Sequence, residues 1–217
     1  MNPISFLIEN WDTYFPGFVR LFEAANIAFV FAMIVGVLIA SFRVSPIPPL
    51  QRFAAFYVTM FRNTPLLIVF FLFFFGLPKL GFTFTPFVST IIVMALYTGA
   101  YLSETVRSGI NSVDTGQAEA ARAIGLKFRE VLGLIVIPQA LRTVVGPIGN
   151  LYIANAKNTV IGTTIGLFVE TTAAQRLANS TGQPIAAFSA AAIFFVVWLL
   201  IAAQVFTVIE RRVAIKR

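Results

Sequence analysis

The sequence predicts an all-α integral membrane protein with five transmembrane helices, and three observations support this fold class. The chain of 217 residues is 58% hydrophobic, only 12% of its residues are charged, and its mean hydropathy is +0.86. A soluble domain is about 45–50% apolar and about 25% charged. Five apolar stretches approach or exceed the roughly 20 residues that a helix needs to cross a bilayer. We therefore expect one multi-pass domain, residues 1–217, in the cell membrane.

The predicted elements follow the chain in order. The expected spans are residues 17–42, 54–77, 87–108, 144–165 and 185–209. Two connections, 43–52 and 78–86, contain prolines and are predicted to be non-helical turns. A polar segment, 111–142, separates the third and fourth spans, and a polar outer loop is expected over 170–184.

Basic residues predict the orientation of the chain. If segment 111–142 is cytoplasmic, eleven basic residues lie on its side of the membrane and three lie on the other. Such a bias marks the cytoplasmic side. The N-terminus is then outside and the C-terminus inside, which agrees with an odd number of spans. The inner set is Arg43, Arg52, Arg107, Arg122, Lys127, Arg129, Arg142, Arg211, Arg212, Lys216 and Arg217, and the outer set is Arg20, Lys79 and Arg176.

The polar segment begins with a short helix whose two ends have clear signals. Asp114 is a suitable N-cap, and Gln117 three residues later fits a capping-box variant. Alanines fill the interior, where they favour the helix and leave a surface with little bulk. Gly125 is suited to end the helix in a left-handed conformation. Two interpretations remain open at this point: insertion into a groove on a partner, or an ordinary capped surface helix.

The spacing within this segment resembles the EAA motif of ABC importer permeases. Glu119, Ala120 and Ala121 are followed after three residues by Gly125 and, nine residues later, by a run that ends at Pro138. The resemblance implies that the motif forms coupling helices that dock on a nucleotide-binding subunit. It assigns this coupling role to Glu119, Ala120, Ala121, Arg122, Gly125 and Pro138.

Further motifs resemble the polar amino-acid uptake branch of these permeases, and glutamate-uptake members in particular. They are the runs 62–66, 101–110, 138–142 and 157–159. The resemblance implies four partners: an ABC ATPase dimer that carries ATP and Mg, a second permease subunit, an extracytoplasmic amino-acid-binding protein and membrane lipid. No cofactor is expected on this chain itself.

Two cations are predicted to lie deep in the membrane. Arg62 is ten residues past Arg52, or about 15 Å into the bilayer, and Pro65 should break the helix beside it. Lys157 lies on the fourth span in a polar stripe with Asn150. Buried charge is expensive in a bilayer and often marks a transport site, so these cations are candidates for binding a substrate carboxylate. The predicted substrate pathway is Arg62, Asn63, Thr64, Pro65, Asn150, Asn155, Lys157, Asn158 and Thr159.

Structural roles remain as alternatives for the same cations. Either one could pair with Glu104, or it could cap carbonyl groups that Pro65 leaves free. Glu104 and Arg107 are three residues apart, and their spacing favours an ion pair on one helix, with a gate contact as the second interpretation.

Composition also limits the alternatives. The chain contains no His and no Cys, which excludes imidazole- or thiolate-based catalysis, and no metal site is expected. It has no phosphate-binding loop, so we expect no enzyme activity on this chain. The net charge of +7 is explained by basic residues in cytoplasmic loops rather than by nucleic-acid binding.

A stand-alone channel or secondary transporter is the alternative function. Glutamate, aspartate, glutamine, arginine and cystine all remain plausible substrates, and two buried cations favour an acidic one.

Overall fold

The computed structural model describes residues 2–213, and this part of the chain contains helices and no strand. Short π or 3₁₀ turns extend three of the helices, at Leu72–Gly76, Leu77–Leu80, Val131–Val136 and Val160–Ile165. The α-helices are α1 (Pro3–Glu9), α2 (Trp11–Val44), α3 (Pro48–Asn63), α4 (Leu66–Phe71), α5 (Pro86–Asn111), α6 (Thr115–Ala123), α7 (Phe128–Glu130), α8 (Ile137–Thr159), α9 (Glu170–Thr181) and α10 (Pro184–Val213).

Four helical stretches of the described chain are long and apolar enough to cross a membrane: α2, α5, Phe128–Ile165 and α10. The pair Pro48–Asn63 and Leu66–Leu80 brings the number to five if it counts as one span, but it bends by 106°. The second predicted span, 54–77, is therefore not a straight helix. Lys216 and Arg217, which were counted for the predicted orientation, lie outside the described residues, and the orientation stays a prediction.

The break between α3 and α4 follows from Pro65, as the sequence predicts. Proline has no N–H for the carbonyl four residues earlier, and it forces the preceding residue out of the helical conformation. Thr64 is accordingly extended, with φ −102° and ψ 128°. Its hydroxyl donates a hydrogen bond of 2.8 Å to the carbonyl of Met60, which satisfies one group near the break.

Several predicted connections are more helical than expected. The turn at 43–52 is shortened because Pro48 and Pro49 begin α3, where a missing N–H costs nothing. The fourth span was predicted to begin at 144, but its helix begins at Phe128. The polar loop at 170–184 contains α9, and α1 was not predicted.

Small residues let α2 pack closely against α5 at the centre of the bundle. Ala24, Ala28, Ala32 and Gly36 recur every four residues on α2 and are all buried. A Cβ atom at Gly36 would lie 2.6 Å from the Cβ of Leu102 on α5, so only glycine fits this crossing. Large apolar side chains cover the opposite face of α2 and are exposed, as a lipid-facing surface requires.

Candidate functional site

The helix α6 has a defined beginning and end. The side chain of Asp114 accepts a hydrogen bond of 2.7 Å from the N–H of Gly116, so it is the N-cap. Gly125 has φ +93°, its N–H donates to the carbonyl of Arg122, and the N–H of Leu126 donates to that of Ala121. These two hydrogen bonds form a Schellman motif, in which a left-handed glycine stops the helix. Both predicted signals are therefore present.

Gln117 does not complete the predicted capping box. Its side-chain oxygen accepts a hydrogen bond of 2.5 Å from the side-chain nitrogen of Gln139, which lies on α8. The same Gln139 nitrogen donates 3.0 Å to the carbonyl of Ile135. Gln117 therefore joins α6 to the base of the fourth span instead of capping its own helix.

Most of the motif residues on α6 lie on the surface of the chain. Glu119, Ala120 and Arg122 are exposed, whereas Ala121 is buried against the rest of the segment. Two large apolar side chains follow directly and are also exposed, Ile124 at 80% and Phe128 at 66%. An apolar pair beside a small-faced helix is a surface that a partner could cover.

Pro138 lies where the π turn Val131–Val136 passes into α8. Because proline cannot donate to the carbonyl of residue 134, a regular helix would be interrupted here. The wider turn absorbs that defect, and the helix continues from Phe128 into the fourth span without a break in the chain direction.

Arg62 lies in the last turn of α3, one residue before the helix ends at Asn63, and its exposed side chain lines a cavity. Its guanidinium lies over the ring of Tyr101, 5.3 Å from the centroid. Among residues 2–213 it forms no ion pair within 4.0 Å and no hydrogen bond to a carbonyl group. The two structural alternatives for Arg62, pairing with Glu104 or capping carbonyls, are thus not realised in this structure.

Glu104 pairs with Arg107, as their spacing predicts, with a 2.7 Å bond from the guanidinium to one carboxylate oxygen. It also pairs with Arg43 on α2, at 3.4 Å. The second contact was not predicted, because it depends on how α2 packs against α5. The cluster links the ends of two helices near α6.

The cavity beside Arg62 has a volume of ≈ 420 Å³, and Tyr101, Glu104, Arg107 and Pro147 are among the residues that line it. Asn63 lies in an adjoining cavity of ≈ 340 Å³ that shares Arg62 and Tyr101. Tyr101 was not predicted as a site residue. The signal that would have found it is its position on α5, three residues before Glu104 and four after Tyr97.

The predicted polar residues of α8 separate into two groups. Asn155 and Thr159 are buried and bonded within the bundle: Asn155 accepts from Thr98 on α5 and donates to the carbonyl of Ala25 on α2, both at 2.9 Å. Thr159 donates to the carbonyl of Asn155. These contacts hold three helices together.

Other polar residues of α8 are accessible. Asn150 and Lys157 are exposed on the surface of the chain, seven residues apart as the stripe predicts. Asn158 lines a cavity of ≈ 240 Å³ together with Tyr97, Thr98 and Tyr101. Asn158 and Arg62 thus line different cavities, which meet at Tyr101.

Glu170 occupies an unexpected position at the start of α9. It was expected in a solvated outer loop, but it is only 1% exposed. One of its carboxylate oxygens and the hydroxyl of Thr171 are buried without a hydrogen-bond partner in the described residues. Burial raises the pKa of the Glu170 carboxyl to about 7, and a hydrogen bond from its own backbone opposes this only in part.

Comparison with known proteins gives one family and several relatives. Residues 30–215 match the family described as binding-protein-dependent transport system inner membrane component. A probable glutamine ABC transporter permease protein of Bacillus subtilis is 36% identical over 165 residues, which cover 76% of this chain and 76% of that protein. An L-cystine transport system permease protein of the same organism is 32% identical over 203 residues, covering 93% and 87%. A glutamate transport system permease protein of Corynebacterium efficiens is 40% identical over 148 residues, covering 63% and 65%.

Solved structures share the whole fold. A chain from the crystal structure of an amino acid ABC transporter with histidines superposes with a TM-score of 0.90 and 27% identity, covering 98% of this chain and 99% of that one. A chain of the MetNI methionine ABC transporter superposes with a TM-score of 0.70 and 20% identity, covering 91% and 92%, and therefore supports the fold alone.

Proposed function

The chain belongs to the family of binding-protein-dependent transport system inner membrane components, and we propose that it is the permease subunit of an ATP-driven importer for polar amino acids. The observation that carries this proposal is α6, a capped helix that presents Glu119, Ala120 and Arg122 on an exposed surface. A stand-alone channel or secondary transporter has no use for such a docking element.

ATP hydrolysis belongs, in this proposal, to a separate ATPase dimer that carries ATP and Mg. The apolar pair Ile124 and Phe128 supplies the desolvated centre of the docking surface, and the charges of Glu119 and Arg122 supply its polar rim. Because the helix from Phe128 to Ile165 has no chain break, a push on the docking surface tilts the fourth span. Pro138 and the wide turn before it are the proposed hinge about which that span tilts.

The same scheme needs two further proteins. A second permease subunit, either a copy of this chain or a related one, completes the pathway, and the exposed polar stripe with Asn150 and Lys157 supports an interface or pathway on that face. An extracytoplasmic binding protein delivers the amino acid to the end opposite α6. Segment 111–142 is then cytoplasmic, with the N-terminus outside and the C-terminus inside.

Glutamate is the substrate that the charges favour. Arg62 and Lys157 are exposed cations on polar faces, and a carboxylate is the group that guanidinium binds best, through two parallel hydrogen bonds. Asn63, Thr64 and Asn158 are the proposed hydrogen-bonding partners. Asn155 and Thr159 are already bonded within the bundle and serve the pathway by fixing α8. The relatives named above carry glutamine, cystine and glutamate in their descriptions, so a polar amino acid is the broader class.

Co-purification and uptake test this function together. The permease with its ATPase subunit should be retained as a complex in detergent, and liposomes that contain it should take up labelled glutamate only with enclosed ATP and external binding protein. Replacing Phe128 with Ser should release the ATPase, because a few anchor side chains at the centre of an interface carry most of its binding energy. Phe82→Ser removes an equally exposed phenylalanine at the other end of the bundle and should leave the complex intact. Uptake without ATP, or a complex that is indifferent to Phe128→Ser, would contradict the proposal.

A further inference from the structure

The cavity beside Arg62 has an excess of positive charge. Arg62 and Arg107 line the cavity, together with Glu104, which is the single carboxylate among its described lining residues. Arg43 does not line the cavity but pairs with Glu104. Both oxygens of Glu104 are already engaged, one by Arg107 at 2.7 Å and the other by Arg43 at 3.4 Å. Within residues 2–213, three guanidinium groups therefore act on one carboxylate, and Arg62 is close enough for its charge to act on Glu104 but forms no ion pair with it.

A guanidinium cannot relieve this imbalance by losing its proton, because arginine does not deprotonate in proteins. A charge held inside a bilayer is stable only when it is paired or hydrated. The ring of Tyr101 gives Arg62 a favourable contact but no negative charge. A small anion in the cavity would balance this charge, and ≈ 420 Å³ is enough room for an amino acid.

The Arg62 cavity and the cavity that Asn158 lines lie at different levels along α5 and α8. Along α5 the Asn158 cavity is lined by residues from Tyr97 to Tyr101 and the Arg62 cavity by residues from Tyr101 to Gly109, so the Arg62 cavity lies nearer to α6. Along α8, which runs antiparallel, they advance from Asn158 to Thr143, again towards the α6 end. Tyr101 and Leu151 line both cavities and mark the point at which they meet.

We propose that the Arg62 cavity is a second binding station, at the α6 end of the pathway, that takes the carboxylate of an amino acid after it has left the cavity beside Asn158. This inference rests on the proposed function and assigns Arg62 and Lys157 to successive steps rather than to one carboxylate. Glu104 acts as a positioning residue, since it fixes Arg107 and Arg43 and leaves Arg62 without an ion pair in the described part of the chain.

The charge excess also makes the station selective. An acidic amino acid brings the missing negative charge, a neutral amino acid brings a carboxylate and an ammonium that cancel, and a basic amino acid adds a further cation. The station should therefore prefer glutamate or aspartate, accept glutamine less well and reject arginine.

Equilibrium binding of labelled glutamate to the detergent-solubilised permease–ATPase complex, without binding protein, tests this station. Unlabelled glutamate should compete, glutamine should compete less well, and arginine and chloride should not. Arg62→Gln should weaken binding at least about tenfold, because charge-assisted hydrogen bonds are lost, whereas Arg62→Lys should retain part of it. Arg20→Gln is the matched control, since Arg20 also lies over an aromatic ring, that of Phe87, but does not line the cavity.

The outcomes separate this inference from the proposed function. Glutamate affinity unchanged in Arg62→Gln, or displacement by arginine or chloride as strong as by glutamate, would overturn the station. If Arg62→Gln fails to assemble with the ATPase, two other measurements still test the station. They are the glutamate affinity of Arg62→Lys relative to wild type, and the competition of arginine with glutamate in the wild-type complex. ATP-dependent uptake of glutamate by the wild-type complex tests the proposed function independently, so its presence alongside unaltered binding in Arg62→Gln would reject the station alone.

Discussion

The side-chain amide of Gln139 donates a hydrogen bond of 2.5 Å to the side-chain oxygen of Gln117, and this contact ties the exposed helix α6 to the base of α8. The two residues are 22 positions apart in the chain, on either side of the turn that Gly125 makes. The contact gives α6, the proposed docking helix, a fixed position relative to the span that it is proposed to move.

Removal of this contact should uncouple hydrolysis from transport. Gln139→Met keeps the length of the side chain and removes the donor, so α6 should still bind the ATPase while its motion reaches α8 less effectively. We expect ATP hydrolysis to continue and amino-acid uptake per ATP to fall several-fold in liposomes. The control is Gln175→Met, which removes a similar exposed hydrogen bond, to Asn179 on α9, and should not change the ratio. Parallel loss of hydrolysis and uptake would instead indicate a docking role for Gln139.

Substitution at Gly125 should damage the end of α6. With φ at +93°, Gly125→Ala places a side chain in the left-handed conformation, at a cost of about 1–2 kcal/mol. The expected result is weaker retention of the ATPase by about tenfold. Gly133→Ala adds the same methyl group nearby in a helical conformation with open space around it, and it should be neutral. Equal effects of the two substitutions would show that the left-handed turn is not what matters.

Two neighbouring asparagines on α8 should have opposite phenotypes. Asn155→Ala leaves the hydroxyl of Thr98 and the carbonyl of Ala25 without their buried partner, so it should destabilise the bundle by about 1–3 kcal/mol. Asn158→Ala removes a group that faces a cavity, so it should lower the rate of uptake with little change in thermal stability. Thermal unfolding and initial uptake rates of both variants check this assignment, and the reverse pattern would refute it.

The buried Glu170 should make stability depend on pH. Its pKa is about 7 in the folded chain and near 4.5 in the unfolded chain, so between these values the folded state binds more protons. The contribution of the Glu170 carboxyl to the free energy of unfolding is therefore fully present below about pH 4.5 and is lost as the pH rises through about 7. Glu170→Gln should consequently stabilise the protein at pH 8, by roughly 1–3 kcal/mol, and have little effect near pH 4.5.

Thermal denaturation of the detergent-solubilised protein across this pH range measures the Glu170 effect. A gain of this size corresponds to a few degrees in Tm. Glu9→Gln, at an exposed position, is the control and should show no such trend. A Glu170→Gln variant that is less stable than wild type at pH 8 would mean that the ionised carboxylate has a favourable partner.

Hydropathy, together with residues that begin, break or end helices, was sufficient to predict much of the fold. The apolar stretches predicted the spans, Pro65 predicted the broken helix, and Asp114 and Gly125 predicted the two ends of α6. Each of these features depends on a residue and its immediate neighbours in the chain, and such features can be read without knowledge of the tertiary structure.

Features that depend on packing could not be read in this way. The helix α9 is polar in composition and is held by Ala173, Ala174 and Ala178 against other buried residues. The contact between Arg43 and Glu104 requires α2 and α5 to be adjacent. Glu170 looked like a solvated loop residue, because acidic side chains are rarely fully buried.

The central claim, that α6 docks on a cytoplasmic ATPase, is tested most directly by labelling a single cysteine. The chain contains no Cys, so Ala120→Cys introduces a unique thiol on the exposed face of α6, and Thr83→Cys places one at the opposite end. A membrane-impermeant maleimide should label Cys at position 120 only in inside-out vesicles, and the bound ATPase subunit should slow that labelling without affecting position 83. Labelling of position 120 in right-side-out vesicles, or at the same rate with and without the ATPase, would contradict the account.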